Sequence, residues 1–114
     1  MGWDAYAVDP ATNKPVERPL PLWGFRRAAR RVRQHVGTVD GFLRMGGLDC
    51  SACADALRQA AGIDPWGPDL PPARVKAALK RANWDRAALP WARESACAFL
   101  ETCARFRLGV RFSW

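Results

Sequence analysis

Histidine occurs once in this chain, as His35, and no apolar run approaches the roughly 20 residues that cross a bilayer. Also missing are a glycine-rich phosphate loop, a serine nucleophile elbow, a paired acidic signature and a signal-type apolar stretch near the start. These absences argue against an enzyme of the common kinds and against a membrane protein. A cytoplasmic setting is therefore expected. There is no internal repeat and no low-complexity tract, so solenoids and disordered tails are set aside as well.

Acidic residues are scarce where they would matter most. Between Arg18 and Val39 lie six arginines and no Asp or Glu, a local charge of +6. The rest of the chain holds 12 basic and 11 acidic side chains, a balance of +1. Arginine supplies 15 of the 18 basic residues, and its planar fork suits phosphate and carboxylate partners better than lysine does. With 114 residues, 49% apolar and 25% charged, the chain reads as a single globular domain spanning 1–114.

The opening "GWDAYAVDP" alternates as a short strand, with Trp3, Ala5 and Ala7 on one face and Tyr6 and Val8 on the other. "DPATNKP" is rich in turn formers and reverses the chain, after which "VERP" suits a second short strand. From Leu22 the period becomes helical, with Leu22, Phe25, Ala29, Val32 and Val36 on one face and Gly37 as the stop. "TVDGFLRMGG" reads as a loop or single turn. Asp49 suits the cap of a helix running to Gly62, with Cys50, Cys53, Leu57 and Ala60 inward. "GIDPWGPDLPP" is too rich in proline for regular structure. A third helix starts at Pro71 or Pro72 with Val75, Ala78, Leu79 and Ala82 inward. A fourth runs from about Pro90 to Leu108, burying Ala92, Ala96, Phe99, Cys103 and Phe106, with Gly109 ending it. "VRFSW" alternates again, placing Val110, Phe112 and Trp114 on one side. The expected fold is mainly α (α+β), about four helices with a two- or three-stranded antiparallel sheet formed by the chain ends.

Three constellations bear on function. "CSAC" supplies Cys50 and Cys53 at a spacing common in zinc sites, with Cys97 and Cys103 downstream. The second pair is at a spacing of i,i+6, which on a helix turns them about 120° apart, so the cysteines read as small apolar core residues. No metal or cofactor is expected, and a zinc-stabilised interaction module stands as an alternative. His35 lies at the edge of its helix stripe, as a boundary histidine does. The arginine face is the third. Arg26, Arg30 and Arg33 fall within about 60° of arc, with Arg27 and Arg31 beyond them. The Arg26–Arg30 and Arg27–Arg31 pairs are like charges at i,i+4, each costing a few tenths of a kcal/mol. A helix needing only solubility mixes its signs, so this face, with the adjoining Trp23, is the candidate partner-binding surface. Trp66, Trp84 and Trp91 add loop aromatics of the kind found in contact surfaces.

The first eight residues, "MGWDAYAV", resemble the start of small phage- and prophage-encoded accessory proteins. The resemblance spans those eight residues, carries no catalytic motif and transfers no site residue. It implies a small non-enzymatic protein of a mobile element. For such proteins the prominent roles are stoichiometric inhibition of a host CRISPR-Cas complex, as in anti-CRISPR proteins, and binding of DNA or RNA. The expected partner is a host protein complex or a nucleic acid, met through the arginine face, with no membrane and no small-molecule substrate.

Overall fold

A computed structural model describes residues 3–16, 44–45 and 51–114. Strand β1 (Asp4–Asp9) is the centre of a four-stranded antiparallel sheet with β2 (Lys14–Pro15), β3 (Arg44–Met45) and β4 (Gly109–Ser113). Val8 is opposite both Pro15 and Gly109, and Ala5 opposite both Met45 and Phe112. A strand has two edges, so β4 runs along one of them while β2 and β3 share the other.

The β1–β2 reversal follows from turn chemistry. Asp9 Oδ1 accepts from the Ala11 N–H at 2.9 Å, and the Asn13 N–H bonds the Asp9 carbonyl at 2.8 Å. Asn13 takes the left-handed conformation at φ 56°, which asparagine tolerates better than most residues. The named pairing is at Lys14–Pro15, and Val16 N–H donates to the Ala7 carbonyl at 2.9 Å; the rest of the strand expected in "VERP" lies outside the described residues. Strand β3 falls in the stretch expected to be loop: two residues are too few to show a period of two.

The helices are α1 (Ser51–Ala61), α2 (Pro72–Arg81) and α3 (Pro90–Arg105), with a 3₁₀ turn at Trp84–Arg86. About four helices were expected. Three α-helices are found among the described residues, and the expected one at 22–36 lies outside them. The architecture is mixed α+β, with the sheet formed largely by the two chain ends. Both α2 and α3 start with proline in the first turn, where its missing N–H has no helical partner to lose. Helix α1 ends in an αL cap: Gly62, at φ 65°, donates to the Arg58 carbonyl. Arg81, from the end of α2, donates Nε to the Ala61 carbonyl at 3.0 Å, satisfying another acceptor at the same helix end.

One core joins these elements. Trp3, Ala5 and Ala7 of the sheet meet Cys53, Leu57 and Ala60 of α1, Val75 and Ala78 of α2, and Ala96, Phe99, Leu100 and Cys103 of α3. Alanine dominates, and small side chains let the helices approach closely around Phe99, Leu57 and Leu100. Trp3 stacks on Phe112 with ring centroids 5.8 Å apart and donates Nε1 to the Pro65 carbonyl. Phe106 is only partly buried, and α3 stops at Arg105, short of the expected Leu108. Gly109 opens β4 instead of ending the helix. Its missing Cβ matters for another reason: a Cβ there would stand 2.7 Å from the Leu70 carbonyl oxygen. Leu70 and Val110 exchange two backbone hydrogen bonds at that point, pinning the proline-rich loop to the sheet. Trp114 was expected beside Phe112 but is 59% exposed, because pairing ends at Ser113.

Candidate functional site

Arg26, Arg27, Arg30, Arg31, Arg33 and Trp23, the contact surface expected from the sequence, all lie outside the described residues, as do His35 and Cys50. The described residues carry a second cationic surface. Helix α2 holds Arg74, Lys76, Lys80 and Arg81 and no acidic residue, and none occurs between Asp69 and Asp85. The charge tally outside Arg18–Val39 balances at +1, and that average conceals this local +4. A windowed count along the chain reveals it.

Helical geometry splits the four. With Val75 and Ala78 buried and Leu79 and Ala82 partly so, Lys76 and Lys80 fall on one flank of α2 and Arg74 and Arg81 on the other. Arg81 is engaged at the end of α1. Lys76 and Lys80 are a like-charge i,i+4 pair, and among the described residues neither makes an ion pair. By contrast Arg58, Arg93 and Arg111 pair with Asp55, Asp85 and Asp69.

Lys76 borders an open groove of about 760 Å³ between α2 and the C-terminal half of α3. Its floor is Pro72, Leu79 and Ala104, with Leu79 and Ala104 packed on the core. Its rim carries Lys76, Arg105 and Arg107 against the single carboxylate of Glu101, a net charge of +2. Basic residues at the end of α3 oppose the partial negative charge of its last carbonyls, which accounts locally for Arg105. Lys76, in the middle of α2, has no such local reason.

Arg107 stands out by its backbone. Leu108 N–H bonds the Cys103 carbonyl at 2.8 Å and Arg107 N–H the Ala104 carbonyl at 3.2 Å, the paired bonds of a Schellman cap. The C′ position of that cap is normally glycine, yet here it is arginine at φ 56°. An L side chain in this conformation costs about 1–2 kcal/mol. The chain thus keeps a guanidinium on the groove rim at a position where a glycine would relieve strain.

The described cysteines are not poised for nucleophilic chemistry. Burial, helped by the charge and hydrogen bond of Glu101, pushes the Cys97 thiol up to about 12, so its thiolate is scarce at neutral pH. Cys97 Sγ donates to Glu101 Oε1 at 3.6 Å. Cys103 is fully buried and its pKa is raised by that burial, and Cys53 lies in the core on α1. Among the described residues no three His, Cys, Asp or Glu side chains converge as a metal site, and no helix is long and apolar enough to cross a membrane. Of the expected loop aromatics, Trp66 is 44% exposed, while Trp84 packs against the core. Comparison with protein families, with curated proteins and with solved structures returns no match to this chain.

Proposed function

We propose that this chain is a non-enzymatic binding protein that engages an acidic surface of a protein complex through single-sign cationic segments. The observation that carries this is the absence of acidic residues among these cations along the sequence. Five arginines occupy 26–33 with no acid nearby in sequence, and α2 adds four cations with none of its own. Leaving like charges adjacent costs a few tenths of a kcal/mol per pair, a cost that contact with an anionic partner reverses. The groove beside Lys76 has an apolar floor, which fits the mixed apolar and acidic surface of a protein better than a bare phosphate backbone.

The resemblance of residues 1–8 to phage accessory proteins supplies the biological context: a mobile-element inhibitor of a host CRISPR-Cas complex. The direct test expresses the protein in a host whose CRISPR immunity restricts a targeted phage. Phage plating should rise by orders of magnitude, and Arg26→Ala/Arg30→Ala/Arg33→Ala should restore restriction. Unchanged restriction across the host's systems argues against inhibition. A DNA- or RNA-binding accessory role draws on the same cations and predicts affinity that falls steeply with salt. If the purified protein ignores both nucleic acids at low salt, that alternative is finished.

A further inference from the structure

We infer that the groove between α2 and α3 is a docking site for a short acidic segment of a partner protein, with an apolar side chain seated on Leu79 and Ala104. The inference deepens the binding function proposed above and rests on it. Three observations converge on the groove. It is an open concavity of about 760 Å³, and its floor is apolar. Its rim is cationic, with Lys76 and Arg107 free of ion pairs among the described residues, so the complementary ligand is anionic. At that rim the backbone holds Arg107 in a left-handed conformation that favours glycine.

Size and charge define the occupant. From Pro72 to Leu79 the groove runs about 10 Å along α2, which three or four residues of extended chain span. Carboxylates flanking its apolar residue face Lys76 on one wall and Arg107 on the other. An apolar residue between them sits over Leu79 and Ala104. Glu101, whose carboxylate already accepts from Cys97, sets an acidic boundary on the α3 wall and disfavours a continuous run of acids. A nucleic-acid strand would offer the groove charge but no aliphatic anchor.

Fluorescence anisotropy tests this with a labelled peptide carrying a leucine between glutamates, its glutamine counterpart, and a single-stranded oligonucleotide of similar length. The intact protein should bind the glutamate peptide and not the glutamine one. Lys76→Glu should weaken binding at least fivefold, and Arg107→Gly several-fold. Arg58→Ala, at an exposed position of α1 outside the groove lining, should leave peptide affinity unchanged, and Arg26→Ala/Arg30→Ala/Arg33→Ala is assayed beside it. Arg107→Gly relieves backbone strain, so a loss of affinity in a variant that melts no lower is not unfolding. Peptide binding lost only in the triple arginine variant overturns the groove assignment and leaves the proposed function standing. Oligonucleotide binding that is tighter than peptide binding, and lost in Lys76→Glu, assigns the groove to nucleic acid and overturns it too. So does the absence of any peptide binding by the intact protein.

Discussion

Arg107→Gly separates the two roles that position can play, fold stability and partner contact. In the cap of α3, residue 107 sits at φ 56° with both bonds of the motif made by backbone atoms: its own N–H to Ala104 and that of Leu108 to Cys103. Glycine keeps both bonds. Removing the Cβ relieves about 1–2 kcal/mol of left-handed strain, and the extra freedom of glycine in the unfolded chain returns about 0.5–1 kcal/mol of that. The difference is a net gain of about 0.5–1 kcal/mol. Near the helix terminus the lost guanidinium gives back a few tenths more, since charge–dipole interactions at exposed ends are worth about 0.3–1 kcal/mol. The variant should therefore be as stable as the parent or melt up to about 4 °C higher, read by thermal unfolding followed by circular dichroism. A melting temperature lowered by several degrees refutes the reasoning, because it means that the side chain supports the fold. Stability kept with affinity lost means that the strain is retained for contact.

The remaining predictions concern the frame around the groove. Gly109→Ala forces a Cβ to within 2.7 Å of the Leu70 carbonyl and disturbs both Leu70–Val110 bonds. It should cost about 2 kcal/mol in chemical denaturation, at roughly 0.5–1.5 kcal/mol per bond. Arg111 Nη2 bonds both the carbonyl and Oδ1 of Asn13, and Nε and Nη2 reach Asp69, so it ties the β1–β2 turn to the proline-rich loop. Arg111→Ala should cost about 1–2 kcal/mol, most of it from the bonds to Asn13, because exposed ion pairs contribute under about 1 kcal/mol. Cys97 has its pKa raised from 9.0 in the unfolded chain to about 12 in the fold. The folded state thus holds this proton more tightly, and stability falls as pH rises from about 9 towards about 12. Cys97→Ala should lessen that alkaline loss in denaturant titrations and leave the neutral-pH dependence unchanged.

The helices and the sheet-forming ends were legible because their signals are local. Proline at the starts of α2 and α3, the 3.6-residue spacing of Val75, Ala78 and Leu79, and the alternation of Trp3, Ala5 and Ala7 all depend on near neighbours. The stop of α3 was not, because the cap uses an arginine in the conformation where glycine is the usual signal. That displaced the expected boundary to Gly109, whose role is set by a loop 39 residues earlier in the chain, at Leu70. Pairings such as Arg44–Met45 beside Ala5–Tyr6 arise from tertiary position and leave no mark in two residues. Of the candidate site, the charge of α2 was present in the sequence but averaged away. The groove itself was invisible, since Lys76, Ala104 and Arg107 meet only once α2 lies against α3.

Amide chemical-shift mapping of the isotopically labelled protein, titrated with the glutamate–leucine peptide, tests the central claim most directly. Perturbations should concentrate at 72–79 and 101–108 and fade as salt is raised. Shifts that cluster instead around Trp66 and Trp114, or that ignore salt, would contradict a cationic contact surface.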